Sequence, residues 1–145
     1  MTNEEDLLEK AIRIAVEAHH GQKDRYGAPY ILHPMRVVQR LRTPSEKTVG
    51  ILHDVVEDTD WTFEKLSGEG FSEQIIKALK AVTKKDGEDY ESFVKRSAAN
   101  PLAKRVKLAD LEDNMDLRRM PAVTEKDLPR LQKYVKAWKF LTASP

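Results

Sequence analysis

Val49-Gly50-Ile51-Leu52-His53-Asp54-Val55-Val56-Glu57-Asp58-Thr59 is the stretch on which the reading of this chain turns. Ser45 suits the N-cap of a helix running from about Glu46 to Asp58. At about 100° per residue, His53, Asp54, Glu57 and Asp58 fall within one arc of roughly 140°. Val49, Leu52, Val55 and Val56 lie on the opposite arc, so that side faces a core. The first arc then gathers three carboxylates and an imidazole, which repel one another and are costly to bury unpaired. A divalent cation resolves that conflict. A solvated acidic face is the other reading, and the apolar pairs Ile51-Leu52 and Val55-Val56 around the His-Asp doublet argue against it.

Outward from this helix the pattern stays helical. Leu8, Ile12, Ala15 and His19 recur at helical spacing over residues 4–20, behind an acidic first turn, and Gly21 stops the helix. Residues 21–32 read as a turn-rich loop with Gly27 and Pro29. Pro34 suits the first turn of a second helix that continues through Met35, Val37, Val38 and Leu41. Further helices are expected over about 72–85, 89–98 and 102–119. The last, about 125–142, sets Leu128, Leu131, Val135 and Trp138 on one stripe. Trp61 and Trp138 are assigned to the core. No segment alternates with period two, so the expected fold is all-α, a compact helical bundle with residues 1–145 as a single domain.

Composition removes several function classes. The formal net charge of +1 offers no global field for a nucleic-acid polymer. There is no apolar run of about 18 residues, hence no membrane helix. The acidic start Asn3-Glu4-Glu5-Asp6 does not resemble a secretory signal, and a cytoplasmic location is the expectation. With no cysteine, thiolate metal sites and disulfides are excluded, so any metal must sit on histidine and carboxylate.

A second helix offers complementary groups. Lys107, Asp110, Asn114 and Leu117 share one helical stripe. Taken alone, Asp110 reads as a salt-bridged aspartate as readily as a ligand, and His33 before Pro34 as a capping histidine.

In order along the chain, His33, His53-Asp54 and Asp110 resemble the H…HD…D pattern of the HD-domain superfamily. More narrowly, the chain resembles the hydrolase domain of RelA/SpoT stringent-response enzymes, especially stand-alone small alarmone hydrolases. The matching stretches are Ala18-His19-His20-Gly21-Gln22, Gly27-Ala28-Pro29-Tyr30-Ile31-Leu32-His33-Pro34, Leu52 to Thr59, Val82-Thr83-Lys84, Lys107-Leu108-Ala109-Asp110 and Asn114-Met115. They span about residues 11–120, and their combination is far more specific than a bare H…HD…D.

The resemblance implies a metal on His33, His53, Asp54 and Asp110. Two imidazoles and two carboxylates suit manganese or iron, with magnesium and zinc also compatible, and manganese is the family's usual choice. Glu57 and Asp58 match an acidic pair that orients the attacking water and handles protons. Asn114, Lys107, Lys84, Arg25 and Lys23 are expected to contact a phosphorylated nucleotide, and His19 to pack or support the site. The implied activity is hydrolysis of guanosine tetra- or pentaphosphate, releasing the 3′-pyrophosphate through a metal-activated water. With no synthetase segment in these residues, hydrolysis alone is expected. The alternatives are an HD hydrolase of a different nucleotide and a degraded nucleotide-sensing module. Two positions depart from the family. Asp24 stands where a base-packing arginine is common, and Glu112-Asp113 where a basic or aromatic residue usually precedes the asparagine.

Overall fold

The computed structural model describes residues 3–143. Helix α1 (Glu4–Ala18) starts at Asn3, whose side chain accepts the Asp6 amide at 2.8 Å. Glu4, Glu5 and Asp6 then place negative charge where the helix dipole favours it. His19 closes the helix, and Gly21 turns the chain at φ +84°, a region that favours glycine. The following loop holds one isolated bridge, Lys23 to Pro29. Then come α2 (Leu32–Gln39), α3 (Pro44–Leu52), α4 (Val55–Asp58), α5 (Phe63–Gly68), α6 (Glu73–Ala81), α7 (Tyr90–Ala98) and α8 (Pro101–Asn114). Two 3₁₀ turns, Leu117–Arg119 and Glu125–Asp127, lead into α9 (Leu128–Thr142). The described residues are all-helical with no β-strand, as the patterning requires.

Helix α3 lies at the centre, against α1, α2, α6 and α8. Val49, Ile51 and Leu52 are buried there with Val37, Leu79 and Val106. Each such side chain contributes roughly 1.5–3 kcal/mol by leaving water. A smaller cluster of Val94, Leu111, Ala137 and Leu141 holds α9 against α7 and α8. Capped ends follow local chemistry: Thr43, Thr62, Ser72, Asp89 and Asn100 each accept an amide of the helix they precede.

The structure corrects the sequence reading in several places. The helix expected from Glu46 to Asp58 is two, because His53 and Asp54 form a turn between α3 and α4. The His53 Nδ1–H donates to the Gly50 carbonyl at 2.6 Å, the acceptor a continuing helix offers the Asp54 amide. Thr43, not Ser45, is the cap, with Pro44 in the first turn. Helix α5 was not expected at all. The helix expected to Arg119 ends at Asn114 and resumes only as a 3₁₀ turn. On α9 the buried residues are Ala137 and Leu141, whereas Leu128 and Val135 are exposed. Trp61 and Trp138 pack partly buried against the two clusters.

Candidate metal centre

Three elements converge on one point. His33 enters from the first turn of α2, His53 and Asp54 from the break between α3 and α4, and Asp110 from the middle of α8. The His33 Nε2 lies 2.9 Å from Asp110 Oδ1 and 3.8 Å from Asp54 Oδ2. The His53 Nε2 lies 3.0 Å from Asp54 Oδ2 and 3.3 Å from Asp110 Oδ1. His33, His53 and Asp54 form a group able to hold a metal ion, their donor atoms all within 4.8 Å of one another. Metal–ligand bonds of about 2.1 Å set neighbouring ligands roughly 3.0–3.4 Å apart, close to these separations.

The other ring nitrogen of each histidine is already committed. Nδ1–H of His53 donates to Gly50, and Nδ1–H of His33 donates to Asp113 Oδ2 at 2.6 Å. Both rings therefore aim Nε2 inward, the orientation that metal-binding histidines usually show. Tyr30 adds a donor from the loop, its hydroxyl lying 2.5 Å from Asp54 Oδ2. The donor set fits a divalent cation on chemistry and on orientation.

Electrostatics matches this picture. Burial disfavours the charged form of Asp110, but the Lys107 charge and the hydrogen bonds from both histidines hold its carboxyl well below the usual range. Burial likewise opposes Asp54, and the His53 charge and hydrogen bond bring it down to about 2. Glu57 moves the other way, pushed up by burial and by the charges of Asp54 and Asp58. Asp58 is raised by the same causes, burial first and then Asp54. A carboxylate poised above its ordinary value is a better proton acceptor at neutral pH than one held below it.

The group opens into a cavity of about 460 Å³. Of the expected residues, His33, Asp54, Asp110, Glu57, Asn114, Lys107, Lys84, Arg25 and Lys23 line it. His53 lies buried behind that lining, and Asp58 stands beside it without joining the wall. Lys107 is buried, 3.1 Å from Asp110 Oδ2, with Nζ over the Phe93 ring at 4.8 Å. Asn114 donates to Asp110 Oδ1 at 3.2 Å. His19 is buried and bonded to Gln22, whose amide reaches the Asp58 carbonyl at 3.0 Å.

Sequence reasoning missed the far wall. Arg130, Lys133 and Tyr134 of α9 line the cavity with Tyr90 and Phe93 of α7. Lys133 Nζ sits 4.4 Å over the Tyr90 ring. Its pKa falls first through burial and then through Lys107, Arg130, Lys84 and Arg25, all crowding the same space. The signal was present as Arg130, Lys133 and Tyr134 at i, i+3, i+4, a face passed over for the apolar stripe beside it.

No protein-family model matches the chain. Relatives do. It is 33% identical over 120 residues to a guanosine-3′,5′-bis(diphosphate) 3′-pyrophosphohydrolase of Aquifex aeolicus, covering 74% of this chain and 17% of that protein. It is 42% identical over 81 residues to the Spiroplasma citri protein of the same description, covering 53% and 11%. A GTP pyrophosphokinase of Streptomyces coelicolor is 34% identical over 121 residues, covering 74% and 14%. The chain belongs to the RelA/SpoT-type branch of the HD-domain superfamily. It spans less than a fifth of the length of these relatives. The all-helical fold agrees with a solved structure described as a metazoan ortholog of SpoT that hydrolyzes ppGpp. That match has a TM-score of 0.74 at 24% identity and covers 93% of this chain and 84% of the other.

Both departures from the RelA/SpoT-type pattern acquire a physical reason. Asp24 Oδ1 accepts the amides of Tyr26 at 2.8 Å and Ala28 at 3.0 Å, so it shapes the loop while also lining the cavity. Asp113, which by sequence adds negative charge beside a phosphate site, is wholly buried and neutralised. His33 and the Arg36 fork bind it, the latter at 2.7 and 3.1 Å.

Proposed function

We propose that this domain hydrolyses a phosphorylated nucleotide, guanosine 3′,5′-bis(diphosphate) or its pentaphosphate counterpart, at the 3′-pyrophosphate. The carrying observation is the pair of inward-facing Nε2 atoms beside Asp54 and Asp110, at the floor of a cavity walled by cations and tyrosines. In this reading His33, His53, Asp54 and Asp110 hold one divalent cation; the mixed nitrogen and oxygen set suits manganese or iron, and the RelA/SpoT-type resemblance favours manganese. When bound, such an ion lowers the pKa of coordinated water and polarises a phosphoryl oxygen.

The chain's own residues do the rest. Glu57, raised and on the cavity wall, accepts the proton of the attacking water, and Asp58 supports it through charge. The water oxygen bonds to phosphorus, the bond from phosphorus to the 3′ oxygen breaks, and a proton goes to that oxygen. The products are pyrophosphate and the nucleoside 5′-diphosphate, or the 5′-triphosphate when the pentaphosphate is cleaved. Lys84, Lys133, Arg130 and Arg25 offset the remaining phosphate charge, and the tyrosines offer faces to sugar and base.

The test is a substrate panel with Mn²⁺ and product analysis, comparing guanosine tetraphosphate, its adenine counterpart and simple nucleoside phosphates. Release of pyrophosphate from the guanosine substrate, lost with metal binding in His53→Ala and Asp54→Ala, is expected. Turnover that survives both substitutions, or a different cleavage position, overturns the reading.

A further inference from the structure

Arg119 is the last residue of the 3₁₀ turn after α8, and its side chain is only 15% exposed. Its Nη1 donates to the Asp113 carbonyl at 2.9 Å and lies 3.1 Å from Asp113 Oδ2. Its Nη2 lies 3.5 Å from Asp24 Oδ2, and its guanidinium stacks over Tyr26 at 5.7 Å. One guanidinium thus touches both unusual acids of this chain. Asp113 in turn holds His33 through Nδ1, and Asp24 holds the loop through the Tyr26 and Ala28 amides.

We infer that Arg119 is a positioning residue tying the cavity loop to His33 through Asp24 and Asp113. Charge balance supports the assignment. Asp24 and Asp113 are matched by Arg119 and Arg36, so this network orients His33 without adding net charge beside a phosphate site. Geometry supports it too. A planar fork can satisfy two acids at once, which a lysine cannot do with the same fixed directions. A ligand that orders the loop therefore steadies His33, and an ion on His33 steadies the loop, since coupling between two sites is reciprocal.

The inference rests on the proposed metal role of His33, and the experiment separates the two. Mn²⁺ alone is titrated calorimetrically into wild type, Arg119→Gln, Asp24→Asn and the double variant. Loss of a group bonded directly to a ligand typically costs about 10–100-fold in metal affinity; Arg119 acts one contact further out, so the lower end, about tenfold, is expected for Arg119→Gln. Asp24→Asn should weaken Mn²⁺ binding in the wild-type background and have no further effect once Arg119 is gone. Hydrogen exchange at the Tyr26 and Ala28 amides should slow on Mn²⁺ binding in wild type but not in Arg119→Gln. Arg119→Lys, which keeps the charge and loses the fork, makes the same comparison where the glutamine variant fails to fold. Wild-type affinity in Arg119→Gln, or additive effects of the two substitutions, overturns the inference. Failure of wild type to bind Mn²⁺ strikes the metal assignment instead. The tie is then judged in the metal-free protein, where unchanged loop exchange in Arg119→Gln overturns it.

Discussion

Replacing Tyr30 with phenylalanine removes one oxygen atom and leaves the ring where it packs, 5.0 Å from His19 and 5.9 Å from His33. The lost group is the hydroxyl 2.5 Å from Asp54 Oδ2. Burial, followed by the charges of Asp54, Asp58 and Asp110, drives the phenol pKa far above its ordinary value, so this hydroxyl stays a donor at any working pH. A hydrogen bond to a charged group is worth about 1.5–3 kcal/mol. Outer partners of metal ligands are worth about 10–100-fold in affinity, which is about 1.4–2.7 kcal/mol. The two routes agree, and Tyr30→Phe should weaken Mn²⁺ binding by that factor. Calorimetric titration reads the affinity, and circular dichroism checks that the helices persist. An affinity within twofold of wild type, in a folded variant, would refute the view that Tyr30 fixes which way Asp54 faces.

Other expectations concern the acids. Glu57→Gln should keep its Mn²⁺ and lose about 10²–10⁴-fold in kcat, while Asp58→Asn, outside the cavity wall, loses less. Loss of metal in either variant would move that residue into the coordination sphere. Because Glu57 is raised by burial and neighbouring acids, its carboxyl should titrate above the ordinary glutamate value in the metal-free protein, read by NMR, and that signal should disappear in Glu57→Gln. Asp113 gives a stability signature. Burial opposes its charge, but hydrogen bonds from His33 and Arg36 bring it from 3.8 down to about 2. A depressed carboxylate stabilises the fold above its unfolded pKa and loses that contribution as pH falls from about 4 through 2, here about 2 kcal/mol. Urea midpoints of wild type and Asp113→Asn should converge over that window; a constant gap down to pH 2 would contradict the pairing.

Local chemistry accounts for what was legible in the sequence. Helical periodicity, acidic first turns and prolines at helix starts depend on residues within about four positions, so the all-α fold was readable along the chain. The candidate donors were readable for a similar reason: His53-Asp54 stands out among apolar neighbours, and its family pattern adds His33 and Asp110. Tertiary structure decided what depends on partners distant in the chain. The break after Leu52 sets His53 and Asp54 in a turn, which helical periodicity does not signal. The outward turn of Leu128 and Val135 follows from which face of α9 meets α7 and α8, a choice that amphipathic spacing alone leaves open. Asp24 and Asp113 looked like charges in the wrong place until Arg119, 95 residues beyond Asp24, and Arg36, 77 residues before Asp113, were brought to them by packing. A carboxylate's effect on a site depends on the cations folded against it, and sequence spacing carries no record of them.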